Sequence, residues 1–168
     1  YRQALALKER LLGNEHPDVA TCLNNLALLY KYQGRYAEAE PLYQQALELR
    51  KRLLGDQHPD VATTLNNLAE LYHMQHDYAR SELLHRQAFE LRKKLLGDQH
   101  PEVATSLNNL AALYHSQGQY TEAETVYFQA LKLRKQLLGK KHPDVAQSLH
   151  NLACLYFDQR RFAEAEPF

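Results

Sequence analysis

The chain has 168 residues, 45% of them hydrophobic, and balances 20 Lys and Arg against 20 Asp and Glu. A net charge of zero argues against nucleic acid or an anionic membrane as the main partner, since both require a positive field. The sequence contains no apolar run of membrane-spanning length, so we expect no membrane partner.

The sequence repeats itself every 42 residues. The segment G-x-x-H-P begins at Gly13, Gly55, Gly97 and Gly139, and each copy leads into V-A-x-x-L-x-N-L-A-x-L-Y. Such a period is typical of stacked repeats, which offer an extended surface instead of a single pocket. The sequence begins and ends inside a repeat, so we expect a piece of a longer array. We predict one array over residues 1–168, divided into the end of a preceding second helix (1–12), full repeats (13–54, 55–96 and 97–138) and a partial repeat (139–168).

In each period a first helix is predicted to begin at the proline of G-x-x-H-P. Pro17 suits the first helical turn, where an N–H would lack a partner, and Asp18 complements the positive end of the helix dipole. The histidine before each proline is predicted to serve the turn and the helix start (His16, His58, His100 and His142). Apolar residues then follow at helical spacing: Val19, Leu23, Leu26, Ala27 and Tyr30.

A second helix is predicted to follow a tight reversal at Gln33-Gly34-Arg35. It runs from about Tyr36 to Gly55, and the basic residues Arg50–Arg52 near its end complement the negative end of the helix dipole. The equivalent residues 92–94 are expected to do the same. Each period is therefore a helical hairpin whose second apolar flank is buried only when hairpins stack. The residues predicted to face inward are Ala39, Leu42, Tyr43, Ala46, Leu49 and Leu53.

This spacing resembles the tetratricopeptide repeat (TPR). The segments Leu23-x2-Leu26-Ala27-x2-Tyr30 and Ala39-x3-Tyr43-x2-Ala46 follow the W-x2-L-G-x2-Y and A-x3-F pattern of that family. The longer period and the L-G-x-x-H-P-D-V-A string are similar to the repeats of kinesin light chain and its bacterial relatives. The resemblance implies an all-α, right-handed superhelical solenoid of antiparallel helix pairs. It also implies a protein–protein interaction scaffold that holds an extended peptide or a partner helix in a concave groove.

An asparagine pair recurs in the middle of the first helix, although asparagine is an ordinary-to-poor helix former. The resemblance places the second asparagine where its amide clamps the main chain of a bound peptide, and a carboxamide can donate and accept together. The alternative is that one asparagine of each pair bonds to the adjacent repeat or to the inter-repeat loop. The second asparagines are Asn25, Asn67, Asn109 and Asn151; the first are Asn24, Asn66 and Asn108, with His150 in the last period.

Three positions beside these asparagines vary among the four copies. They predict groove contacts whose side chains differ from repeat to repeat. The alternative is unconstrained sequence change on a solvated face. The resemblance implies a basic groove for acidic, aromatic-containing peptides, yet only Lys31 and titratable histidines supply positive charge here, and Glu70 opposes it. The three sets are Leu28, Glu70, Ala112 and Cys154; Lys31, His73, His115 and Phe157; and Tyr32, Met74, Ser116 and Asp158.

Enzymatic and metal chemistry find no support in the sequence. It lacks a phosphate-binding glycine loop and a G-x-S-x-G motif, and Cys154 has no visible activator. The loop histidines lie one per repeat, and His73 with His76 lacks further ligands, so we predict no metal and no cofactor. Cys22 and Cys154 lie three repeats apart, too far for a disulfide, which favours free thiols and a cytoplasmic location.

An architectural role is the alternative to peptide binding. Residues 163–168 begin a second helix and residues 1–12 would complete one. Copies could therefore stack head to tail into an open-ended rod without a specific ligand.

Overall fold

The computed structural model describes residues 1–167, and these residues form helices joined by short turns, with no β-strand among them. Phe168, the last residue of the predicted partial repeat, lies outside the described residues. The all-α fold class is confirmed. The helices are α1 (Arg2–Leu12), α2 (Pro17–Tyr32), α3 (Tyr36–Leu54), α4 (Pro59–Met74), α5 (Tyr78–Leu96), α6 (Pro101–Ser116), α7 (Tyr120–Leu138), α8 (Pro143–Asp158) and α9 (Phe162–Ala165).

The chain divides into two compact units, Tyr1–Leu91 (unit 1) and Arg92–Phe168 (unit 2). In unit 1, α2 packs along α3 and α3 packs along α4; in unit 2, α6 packs along α7 and α7 along α8. The first helices of the pairs are α2, α4, α6 and α8. The second helices, such as α3 and α7, are thus covered on two flanks, as the predicted hairpins require.

Each first helix begins at the predicted proline, and the histidine before it caps the helix. The Nδ1 atom of His16 accepts a hydrogen bond from the backbone N–H of Asp18 at 3.1 Å. His58, His100 and His142 make the same bond at 3.1, 3.2 and 3.2 Å. These N–H groups have no partner within their own helix, so the histidine replaces the missing acceptor. The predicted role of the loop histidines at the helix start is confirmed.

Aromatic and small side chains alternate in the core between the helices. Tyr43 of α3 is fully buried together with Ala39, and both pack with Leu68 and Tyr72 of α4 in unit 1. In unit 2, Tyr127 of α7 occupies the position equivalent to Tyr43 and is 2% exposed. The small residues allow the helices to approach closely, and the rings fill the remaining space. Of the residues predicted to face inward, four are buried (Ala39, Tyr43, Ala46 and Leu49) and two are half-buried (Leu42 and Leu53).

A buried arginine joins each of α3 and α7 to the following first helix, where the sequence predicted only a basic helix end. Arg50 of α3 is 5% exposed. Its Nη1 donates to Thr64 Oγ1 at 2.7 Å and to the carbonyl of Asp60 at 2.9 Å, both in α4. Arg134 repeats the contact with Ser148 Oγ at 2.8 Å. Burial lowers the pKa of the Arg50 guanidinium from its ordinary value, although the charge of Asp60 opposes this shift. Through these hydrogen bonds, Arg50 joins α3 to the first helix of the next pair.

We expect Thr64→Val to lower the free energy of unfolding by about 1.5–3 kcal/mol, because it removes a hydrogen bond to a charged group. Thr64→Ser is the matched control, since serine occupies the equivalent position in Ser106 and Ser148. This control should lose about 1 kcal/mol or less, the contribution of one buried methyl group. Urea denaturation of the three proteins measures the difference. A valine variant as stable as the serine variant would show that the arginine contact contributes nothing.

Candidate functional site

The first-helix face of unit 1 is the surface that α2 and α4 form together, and it is defined by Asn25, Tyr32, Asn67, Glu70 and Met74. The two helices lie side by side in unit 1. The predicted site residues of α2 and α4 lie on this surface or are buried beneath it.

Asparagine side chains link the two helices in the middle of this face. Asn24 is buried, Asn25 and Asn67 are half-buried, and Asn67 Nδ2 donates to Asn24 Oδ1 at 3.1 Å. In unit 2, Asn151 Nδ2 donates to Asn108 Oδ1 at the same distance, 3.1 Å. The bond between adjacent repeats, which the sequence offered as the alternative, is thus present. A carboxamide has two N–H donors and an oxygen with two lone pairs, so Asn67 keeps capacity to bind a ligand as well.

The remaining asparagines differ in their surroundings. Asn66 is 7% exposed and donates through Nδ2 to Glu70 Oε1 at 2.9 Å. Asn109 is half-buried on α6. Asn151 Oδ1 also accepts a hydrogen bond from Gln147 at 2.8 Å. The first asparagine of each pair therefore lies inside the protein, and the second is the one that a ligand could reach.

Lys31 occupies a different environment from the one that the sequence suggested. It was predicted as a positive charge in the groove, but it is 6% exposed. Its Nζ lies 2.6 Å from Glu70 Oε2 and above the ring of Tyr32, at 5.1 Å from the centroid. The pair spans α2 and α4, because residue 31 of one repeat faces residue 70 of the next. Lys31 and Glu70 therefore neutralise each other.

A cleft opens at the end of this face, where α2 and α4 finish and α3 begins. Its volume is about 550 Å³. Four residues from the predicted site meet in it: Lys31, Tyr32, His73 and Met74. Tyr32 is 77% and Met74 53% exposed, which makes them the accessible apolar walls of the cleft. The other lining residues are Gln33, Gly34, Tyr36 and Glu70.

Unit 2 has different chemistry at the equivalent positions. His115 Nε2 lies 2.9 Å from Asp158 Oδ2 and joins α6 to α8. Cys154 Sγ lies 3.6 Å from His150 Nε2, so the thiol has a neighbour that sequence reasoning missed. The spacing of four residues on one helix could have indicated that contact. Phe157 and Cys154 line a cleft of about 370 Å³.

These features have a match among known protein families. A family model for the tetratricopeptide repeat matches residues 1–52, 24–94, 84–136 and 102–168. The chain belongs to the tetratricopeptide repeat family. The helix pairs, the buried tyrosines and the first-helix face are therefore parts of a TPR solenoid, which confirms the fold class predicted from the period.

Solved structures place this TPR protein close to kinesin-light-chain-like proteins. BtubC (BKLC) from P. vanneervenii is similar with a TM-score of 0.84 and 32% identity, over 99% of this chain and 66% of that one. The chain thus spans just under two thirds of BtubC. A kinesin-light-chain-like protein of Podospora anserina with nearly identical TPR-like repeats is similar with a TM-score of 0.77 and 27% identity, over 99% and 79%. No curated protein matches the sequence significantly.

Three further observations concern metal-ligating groups, membrane-spanning helices and the cysteines. Within residues 1–167, no three His, Cys, Asp or Glu side chains are grouped so that they could hold a metal ion. Over the same range, no helix combines the length and apolar character that crossing a membrane requires. Cys22 and Cys154 are both free thiols, as predicted.

We expect protonation of His73 to destabilise the protein. Burial lowers the pKa of His73 from 6.5, the nearby His76 lowers it further, and the charge of Glu70 opposes both effects. The unfolded chain, with the ordinary pKa, therefore binds this proton more tightly than the folded chain. The contribution of His73 is complete above pH 6.5 and is lost as the pH falls through the lowered pKa. Urea titrations at several pH values should show a steeper loss of stability on acidification for the wild type than for His73→Gln. Equal slopes would contradict this.

Proposed function

We propose that this chain is a protein-interaction module that binds an extended peptide along its first helices. The TPR family generally mediates protein–protein interaction or scaffolding. The observation that supports the finer proposal is the meeting of Lys31, Tyr32, His73 and Met74 in one cleft. The cleft lies at the ends of α2 and α4, and the asparagines Asn25 and Asn67 lie in the middle of the same two helices. The face therefore offers both polar and apolar contacts on adjacent helices.

The asparagines suit the main chain of an extended peptide. Such a peptide carries one N–H and one C=O per residue, and none of these groups is paired within it. The Asn67 carboxamide can donate to a carbonyl and accept from an N–H. Its bond to Asn24 holds the side chain in place before a ligand arrives, which reduces the entropy lost on binding. Asn25, Asn109 and Asn151 occupy the equivalent position on their own helices.

The test is peptide binding by the intact chain. Peptides selected from a random displayed library are labelled with fluorescein, and their affinities are measured by fluorescence polarisation. We expect Asn67→Ala to weaken binding about tenfold, through the loss of one or two hydrogen bonds of about 1 kcal/mol each. Gln87→Ala, which changes an exposed amide on α5, is the matched control and should bind like the wild type. Circular dichroism verifies that both variants are folded.

Two results would count against peptide binding along this face. Selected peptides that bind Asn67→Ala as tightly as the wild type would place the site elsewhere. A failure to select any peptide, together with a molecular mass that rises with concentration, would favour the head-to-tail rod.

A further inference from the structure

The charged groups of Lys31 and Glu70, which line the cleft of unit 1, already have partners within the protein. The ammonium group of Lys31 lies 2.6 Å from Glu70 Oε2, and Glu70 Oε1 accepts from Asn66 at 2.9 Å. Both carboxylate oxygens of Glu70 therefore have partners, and Lys31 is almost inaccessible to solvent. Burial lowers the pKa of His73, which favours its neutral imidazole. The opposite charges of Lys31 and Glu70 in the lining of the cleft are therefore paired with each other.

An acidic side chain of a ligand would gain little in this cleft. An acidic side chain would have to displace Glu70 from Lys31, or else lie unpaired beside the Glu70 carboxylate. A basic side chain could still contact the remaining lone pairs of the Glu70 carboxylate, although it would also lie beside the ammonium group of Lys31. An acidic side chain therefore loses hydration and finds no unpaired positive charge in the cleft, which is unfavourable.

An apolar side chain, by contrast, finds accessible surface. Tyr32 and Met74 end α2 and α4 at equivalent positions and are 77% and 53% exposed. Ligand contact would remove this apolar surface from water, at about 25 cal/mol per Å². Aromatic rings and thioether groups also contact aromatic ligands favourably. The volume of the cleft, about 550 Å³, lies in the range of about 300–1,000 Å³ that small-ligand sites show.

We infer that this cleft is a specificity pocket for one uncharged apolar side chain, aromatic or long aliphatic, of a peptide bound along α2 and α4, and that it rejects an acidic side chain. The inference rests on the proposed function, because a peptide must lie on this face for its side chain to enter. The inference extends the proposed function by naming the class of residue that the peptide carries. The physical reason for this preference is the internal pairing of Lys31 with Glu70.

The experiment uses the peptides selected on the intact chain. We expect them to share an aromatic or long aliphatic residue without acidic neighbours. The chain contains no tryptophan, so a tryptophan placed at the shared position of the peptide reports its own burial. Its emission should shift to the blue on binding. Asp at that position should weaken binding about tenfold or more, and affinities at about 0.1 M and about 1 M salt should agree within about twofold.

Variants of the chain locate the pocket. Tyr32→Ala and Met74→Ala should each weaken binding about fivefold or more, as truncation of a contact in the centre of an interface does. Leu83→Ala, which truncates an exposed leucine on α5 of the same unit, is the matched control and should leave affinity unchanged.

Two outcomes would overturn the inference while peptide binding stands. In the first, the selected peptides are acidic and lose affinity steeply with salt. In the second, binding requires Asn67 but is unaffected by Tyr32→Ala and Met74→Ala. If no peptide binds, or if Asn67→Ala changes nothing, the proposed function itself fails. The two failures are therefore distinguishable.

Discussion

The close approach of α2 to α4 is the constraint on which the rest of unit 1 depends. Each helix pair has a flank that only the next pair can cover, and Arg50 reaches from α3 into α4 at that junction. Once the helices are held at this spacing, Asn67 meets Asn24 and Lys31 meets Glu70. The stabilising contacts between repeats and the candidate binding surface are therefore made by the same two helices.

Unit 2 shows how one framework carries a different surface. Arg134 repeats the contact of Arg50, and Asn151 repeats that of Asn67. The side-chain pair near the ends of α6 and α8, however, is His115 with Asp158, which joins different positions of the two first helices. Side chains at the variable positions can change because they do not set the distance between the helices. Repeats of this kind can present different surfaces on the same stacking framework.

The sequence was sufficient for the helices and insufficient for the contacts between them. The period, the prolines and the loop histidines determine where each first helix begins, because these signals act within a few residues. The burial of Arg50 and the pairing of Lys31 with Glu70 join residues on different helices, and the rotation of each helix about its axis decides them. Periodicity identifies the buried face of a helix but does not resolve which side chains at the edge of that face meet a neighbouring helix. Lys31 was therefore predicted as an available charge, although it lies in an internal pair. The contact of Cys154 with His150, on one helix, could have been found.

The neutrality of the cleft depends on a real interaction between Lys31 and Glu70, which a double-mutant cycle measures directly. The free energies of unfolding of the wild type, Lys31→Met, Glu70→Gln and the double variant are compared. A hydrogen bond to a buried charge predicts a coupling energy of about 1 kcal/mol or more. Each substitution should therefore destabilise the wild type more than it destabilises the variant that already lacks the partner. Effects that add within about 0.3 kcal/mol would contradict the account, because Lys31 would then be available to an acidic ligand.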